Sequence, residues 1–387
     1  SYFASLPDEA FDDGPLLARS QALYQIGTVR LGQGNSAAAT EAFNESLRLA
    51  RALSERAPDN TDRLYELSQA SFYVGYAAWL DSDLDAAENH FLEYLAAANR
   101  LLEIDPANPD YRIELGFALS NLGSVREARG DLAGAETAYR STVETGETLV
   151  ALDSTNIDWI GELAETHNLL GTVYRKQGRY REALQAHEEE LRLKRLALTI
   201  DPSHAYWRRR TAAAYGFISE VLRITGDPER ALELATRQQS SFEELVEQDP
   251  TNATWRNALA VARRSTASAL HHLGRSSDAL DILDRARTEL RALLAADPES
   301  LDVAVDLASV ETTRALALLF EDRAQEAVEA ATASAALLNN QATQTANGAL
   351  KLAENRAALG RALAASGREG DARSAWEAGL STVERYH

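Results

Sequence analysis

A step of 48 residues organises this chain and constrains its fold more than any other feature. Asp-Pro pairs stand at Asp105-Pro106, Asp201-Pro202, Asp249-Pro250 and Asp297-Pro298, with Asp153-Ser154 filling the gap and Ala57-Pro58 extending the series backwards. An aromatic follows the middle junctions at the same step, as Tyr111, Trp159, Trp207 and Trp255. Gly27, Gly75, Gly123 and Gly171 share the step, and so do Phe43, Phe91, Tyr139 and His187. A small-residue column, Ala39, Ala87, Ala135, Ala183, Ala231, Ala279 and Ala327, runs through seven copies without a break. Self-similarity at such a period marks an array in which each copy packs on its neighbours, so one extended architecture is expected in place of several globules.

Each period holds two helices with legible ends. Asn108 can accept from the free amides of a helix start and Pro109 suits the first turn. That helix runs to Gly130, whose tolerance of positive φ stops it, and Asp131 caps the next one. Gly226-Asp227-Pro228 repeats the same grammar. The second helix of each period continues to the Asp-Pro pair, where proline disfavours the α conformation in the residue before it. Ala and Leu dominate, β-branched residues are thin, and apolar residues recur at three- and four-residue intervals, so the fold class is all-α. Each helix is predicted to span about 20 residues, or about 30 Å.

From Ile26-Gly27 through Gly34, Ala39 and Phe43, and again from Leu122-Gly123 through Gly130, Ala135 and Tyr139, the order resembles the tetratricopeptide repeat (TPR), with its L-G…G…A…F/Y pattern in two antiparallel helices. The resemblance covers nearly the whole chain and departs in length: the usual period is about 34 residues, and this one adds about two turns to each helix. It implies a right-handed superhelical solenoid of antiparallel helix pairs, with about seven full repeats and a partial eighth. Residues 1–14 are expected to be the tail of a preceding helix or a linker, and 15–387 the solenoid. Its repeats fall at approximately 15–58, 59–106, 107–154, 155–202, 203–250, 251–298, 299–346 and 347–387. Position 1 is Ser, and Ser1-Tyr2-Phe3-Ala4-Ser5-Leu6-Pro7 reads as the end of a helix begun earlier, so a fragment of a longer protein is expected. The eighth copy, Gly360, Gly367, Ala372 and Trp376, arrives three residues early.

The small columns are read as structural: Gly and Ala let two helix backbones approach, and the aromatic fills the gap between neighbouring repeats. Tyr111, Trp159, Trp207 and Trp255 are read as core, each packed against the end of the preceding helix, in preference to a recognition ladder. Repeats five to seven replace the glycine by Ser219, Ala267 and Ala315 and the aromatic by Ala235, Leu283 and Ala331, which predicts looser packing there.

The chain carries a net charge of -20, which argues against nucleic acid as a partner, because a backbone binder needs a basic face. The charge is uneven: residues 1–150 hold 11 basic against 24 acidic residues, and residues 151–300 hold 20 against 23. No apolar run reaches the roughly 18 residues of a membrane span, so no membrane insertion is expected. There is no cysteine, hence no disulfide framework or thiolate metal site. A cytoplasmic location is the default expectation.

Catalytic signatures are missing. The lysines, Lys176, Lys194 and Lys351, are followed by Gln, Arg and Leu, which excludes a P-loop. Gly32-Gln33-Gly34 is a turn at a helix end without the strand context of a dinucleotide site. Asp81-Ser82-Asp83-Leu84-Asp85 is similar to the start of a calcium loop, but the sixth position is Ala86 and the twelfth Leu92, so it is read as an inter-helix turn. The seven histidines form no H-E-x-x-H motif and no triad; His187 sits in the aromatic column, and the neighbours His271 and His272 point to different sides of a helix. No enzyme activity, cofactor or metal is expected.

In solenoids of this type the first helices line the concave, binding surface, as the resemblance implies. Residues spaced i, i+4, i+7 on those helices share one side. The stripe so defined passes through Asn168, Thr172 and Arg175, then Gly216, Glu220 and Arg223, then Arg264, Ser268 and His271, then Thr312, Leu316 and Leu319. Asn121 and Asn168 can hydrogen-bond a peptide backbone, and Arg175, Arg223 and Arg264 can fork onto carboxylates, so an acidic or C-terminal peptide is the expected partner. The second repeat offers Phe72, Tyr73, Tyr76 and Trp79 within eight residues, read either as an apolar docking patch or as a surface covered by the N-terminal segment. The expected function is a protein–protein interaction module that binds a peptide or partner helix in its concave groove. The alternative is a regulatory or sensor arm of a larger signalling protein, with its own flanking domains as partners.

Overall fold

Helices begin where the capping residues put them. Asn35, Asn60, Asp83, Asn108, Asp131, Asn156, Asp227 and Asn252 each accept from a backbone amide in the first turn of the helix that follows. These bonds satisfy donors that a helix start leaves free. The computed structural model describes residues 13–338 and 346–384, and among them are sixteen helices and no strand. The segment Ser1 to Pro7 lies outside the described residues.

Tertiary contacts gather the chain into two compact units, Ser1–Ile200 and Asp201–His387. The first contains α1 (Asp13–Gly32), α2 (Ser36–Arg56), α3 (Thr61–Leu80), α4 (Leu84–Ile104), α5 (Pro109–Ala128), α6 (Leu132–Leu152), α7 (Ile157–Lys176) and α8 (Tyr180–Ile200). The second contains α9 (Ala205–Thr225), α10 (Pro228–Gln248), α11 (Ala253–His272), α12 (Ser276–Ala296), α13 (Leu301–Phe320), α14 (Ala324–Leu337), α15 (Ala346–Ala365) and α16 (Glu369–Glu384). Within each unit every odd-numbered helix packs on the even-numbered helix after it, and that helix packs on the next odd one.

The turns between paired helices need one residue in the left-handed region. Gly34, Gly130, Gly178, Gly226 and Gly274 supply it at multiples of the 48-residue step, whereas Ser82 (φ 62°) and Asp322 (φ 57°) hold the same position without the freedom of glycine. Relief of that strain, less the greater backbone entropy that glycine loses, makes Ser82→Gly stabilising by about 0.5–1 kcal/mol. Urea melts of the variant should show the gain, with Gly178→Ser losing a similar amount; opposite signs would mean that the turn is not left-handed.

The alanine column from Ala39 to Ala327 is fully buried in all seven copies. The aromatic column packs on two sides. Each ring seats on the glycine of its own helix pair: a Cβ on Gly27, Gly75 or Gly123 would lie 2.3, 2.7 or 2.4 Å from a ring carbon of Phe43, Phe91 or Tyr139. The column also meets the next pair, where Phe43 stacks on Tyr73 with ring centroids 5.2 Å apart and clusters with Ala70 and Val74. Gly360 and Trp376 repeat the arrangement in the eighth pair. In repeats five to seven the substituted positions stay in the core: Ala235, Leu283 and Ala331 are fully buried, as are Ala267 and Ala315, and the buried Ser219 donates its hydroxyl to the Ala231 carbonyl at 2.8 Å. In the sixth repeat the first helix gains a methyl at Ala267 where the second exchanges the ring for Leu283, so those two changes offset in volume.

Trp207 is buried, and Trp255 packs on Phe242, Leu245 and Val246 at the end of α10, while Tyr111 and Trp159 are half-buried. The fourth pair replaces the ring by a buried charged cluster. His187 Nδ1 lies 2.9 Å from Glu190 Oε2, and Lys194 Nζ donates to Glu190 Oε1 at 2.5 Å and lies 3.2 Å from Glu165 of α7. His187, Glu190 and Lys194 are each no more than 1% exposed.

Candidate binding site

The helical phase of the odd-numbered helices in the second unit directs one side of each toward a shared cavity of about 690 Å³. Glu220 and Arg223 of α9, Arg264 and His271 of α11, and Thr312 and Leu316 of α13 all line it. Lys351, Glu354 and Arg361 of α15 complete the wall. Gly216 of α9 leaves room for a side chain from the even-numbered α10: a Cβ there would lie 2.5 Å from Gln238 Nε2. Gln238 therefore reaches the cavity although it stands on a second helix.

The lining is cation-rich. Arg209, Arg223, Arg264, Lys351 and Arg361 face it against Glu220, Asp306 and Glu354, in a chain whose overall charge is -20. Burial lowers the pKa of the Arg223 guanidinium, Glu220 opposing and Arg264 reinforcing the effect, and Arg223 Nη1 stands 3.2 Å from His272 Nε2. Burial raises the Asp306 carboxyl above its usual range, against the pull of the Asn257 amide, which donates to it at 2.9 Å, and of Arg264. The His271 imidazole is pulled down by burial, with His272 and Arg223 adding to the effect, and its Nδ1 lies 2.8 Å from Ser276 Oγ. Lys351 Nζ donates to Glu354 at 2.9 Å. Three buried polar atoms of this wall have no hydrogen-bond partner among the described residues: Arg264 Nε, Gln238 Oε1 and Asn257 Oδ1.

The remaining sequence candidates lie in the first unit. Asn121 spends its amide on the carbonyl of Phe117 in its own helix, at 2.8 Å. Asn168, Thr172 and Arg175 are half-buried on α7, and Asn168 Oδ1 has no partner among the described residues. Tyr73 stacks between Tyr24 and Phe43, with ring centroids 5.2 Å from each. Phe72 and Trp79 pack on the cluster around Phe91, Tyr94 and Leu122, and Tyr76, stacked on Phe72 at 6.0 Å, is the most exposed of the four.

Sequence reasoning did not find Gln238, Asn257, Asp306, Lys351 or Glu354. Asn257 precedes Arg264 by seven residues, so the stripe carried a signal for it two turns earlier than it was traced, whereas Asp306 lies off the stripe through Thr312. Gln238 left no such signal, because its access depends on the missing side chain at Gly216. Among the described residues no His, Cys, Asp and Glu side chains gather as a metal site, and no helix is long and apolar enough to cross a membrane.

Comparison with known proteins agrees with this architecture. The tetratricopeptide repeat profile matches residues 20–53. No curated protein matches the sequence. The apo form of the quorum sensor NprR from B. thuringiensis is similar in structure at 12% identity, with a TM-score of 0.57, over 99% of this chain and 90% of that one. BtubC (BKLC) from P. vanneervenii is similar at 17% identity, with a TM-score of 0.50, over 66% of this chain and 90% of that one. A tetratricopeptide repeat protein from Parabacteroides merdae aligns at 13% identity and a TM-score of 0.45, over 89% of this chain and 99% of that one. With a recognised repeat at residues 20–53 and helix pairs of the same kind before and after Ile200, the chain is a tetratricopeptide-type helical repeat protein.

Proposed function

We propose that the chain is a protein-interaction module, not an enzyme, and that its second unit carries the recognising face. One observation supports this above the others: Glu220, Arg223, Arg264 and His271, all read from helical phase as groove-facing, line a single cavity together. The excess of cationic side chains there favours an acidic peptide, which Arg223 and Arg264 would meet through charge-assisted hydrogen bonds. Asn121, Asn168, Thr172 and Arg175, with the aromatic group Phe72, Tyr73, Tyr76 and Trp79, are the corresponding surface proposed for the first unit.

The test is an array of synthetic peptides probed with the full chain. Acidic peptides should be retained preferentially, and retention should fade with salt. Two charge-assisted bonds are at stake, so the Arg223→Glu, Arg264→Glu double variant should bind at least about a hundredfold more weakly. Arg48→Glu, on the second helix of the first pair, should change nothing. An array without acidic preference, or one unaffected by the double reversal in a folded chain, refutes the reading. A regulatory or sensor arm of a larger signalling protein is the second reading, and the fold likeness to a quorum sensor over nearly the whole chain is what favours it.

A further inference from the structure

His272 is the last residue of α11 and lines the cavity of the second unit beside Arg223 of α9. Its two ring nitrogens meet partners of opposite kind. Nδ1 lies 2.8 Å from the carbonyl oxygen of Ser268, which can only accept, so Nδ1 carries a hydrogen. Nε2 lies 3.2 Å from Arg223 Nη1, which can only donate, so Nε2 keeps its lone pair. Together the two partners select one species, the neutral imidazole with its proton on Nδ1. A second proton would go to Nε2, destroy the acceptor that Arg223 uses and set two cations against each other.

The repeat itself does not call for an imidazole here. The same position is Ile224 one repeat earlier and Phe320 one repeat later, so helix packing is served by an apolar side chain. His272 is exposed and Arg223 half-buried, which leaves both within reach of a ligand. The other charged or titratable groups of the cavity are Arg209 and Glu220 of α9, Arg264 and His271 of α11, Asp306 of α13, and Lys351, Glu354 and Arg361 of α15. From α10 come Gln238 and Phe242, without charge, and Arg275 at the start of α12 is engaged with Asp278. A proton on His272 therefore adds a cation to a lining that is already cation-rich. An acidic group seated between His272 and Arg223 relieves their repulsion and accepts from both.

We propose that His272 is the positioning residue of this face and makes its grip on an acidic partner depend on pH. Neutral, it holds Arg223 through Nε2. Protonated, it gives up that bond, releases Arg223 Nη1 and joins it in clamping an acidic group. Affinity for the acidic partner therefore rises as pH falls through the imidazole range, and by linkage the partner's binding takes up a proton. The proposal rests on the reading of this face as the site for an acidic peptide, and adds to it the residue that regulates the site.

Calorimetric titration of the full chain with tetra-aspartate, acetylated and amidated at its ends, tests the proposal at about pH 8 and about pH 5.5, on either side of the ordinary imidazole range. The aspartates ordinarily titrate near pH 4, at about 3.9, so they stay ionised at both values. Tetra-aspartate should bind about tenfold tighter at the lower pH, the size of one added charge-assisted hydrogen bond, and tetra-asparagine should show no such gain. His272→Gln keeps an acceptor for Arg223 that cannot be protonated, so its affinity should stay near the high-pH level throughout. His272→Lys is charged at both values and should hold the low-pH affinity throughout. Titrations in two buffers of different ionisation enthalpy should show proton uptake by the unaltered chain and little by His272→Gln, which a merely structural role would not produce. Because His272 is exposed, both variants should fold, and circular dichroism at each pH checks that they do. No gain at the lower pH in the unaltered chain, or an equal gain in a folded His272→Gln chain, overturns the proposal and leaves the acidic-peptide reading standing. No binding of tetra-aspartate at either pH overturns that reading, and this proposal with it.

Discussion

Lys194→Met is expected to cost about 3–5 kcal/mol at neutral pH, the effect of removing one partner from a buried ion pair. Lys194 is 1% exposed and its ammonium is the positive centre between Glu190 and Glu165, at 2.5 and 3.2 Å. Methionine keeps the length of the side chain, so packing changes little and the loss is electrostatic: Glu190, fully buried, would lose its ammonium partner. Adding Glu190→Gln to Lys194→Met should recover most of the loss, since an uncharged pair carries no uncompensated charge. Denaturant melts of the single and double variants at neutral pH measure both effects. A loss under about 1 kcal/mol, the size found for exposed pairs, would mean that water reaches the cluster.

Helix boundaries and register were legible in the sequence because their determinants are local. Asn108, Asp131 and Asp227 act within one turn, and the phase of Arg223, Arg264 and His271 depends only on the rotation per residue within each helix. The buried charges were harder to read. Glu190 follows Ala183 by seven residues and Lys194 follows His187 by seven, which places both on the core face, yet their residue types argue for solvent. Only the approach of Glu165 from α7 resolves the conflict, and that is a tertiary fact. The cavity shows the same division. Its Arg and His residues followed from periodicity, whereas the part played by Gln238 depends on how closely α10 packs on Gly216. The turn column Gly34, Gly130, Gly178, Gly226 and Gly274 was open to view at the 48-residue step, with Ser82 and Asp322 as its exceptions, and marks where periodic reasoning had more to give.

Phe91→Ala is expected to cost about 3–5 kcal/mol, as loss of a buried phenyl ring does. The ring is 1% exposed and lies between Gly75 on its own helix pair and the Ala118 and Leu122 side of the next. The same geometry predicts what its glycine partner tolerates. A Cβ at residue 75 would stand 2.7 and 2.8 Å from two ring carbons of Phe91, closer than such atoms approach, so Gly75→Ala should lose about 1–3 kcal/mol by overpacking. That sign is informative, because alanine in a helix interior is ordinarily better than glycine by about 0.8–1 kcal/mol. The chain itself suggests how to reconcile the two positions. In the sixth repeat the equivalent residues are Ala267 and Leu283, both fully buried, with a methyl added on the first helix and a ring shortened on the second. Transplanting that pair as Gly75→Ala, Phe91→Leu should restore stability to within about 1 kcal/mol of the original, well short of the sum of the two single losses. Urea melts of Gly75→Ala, Phe91→Leu and the double variant yield the coupling energy. Additive losses would mean that the two side chains do not share one space, and the assignment of the aromatic column to its own helix pair would be wrong.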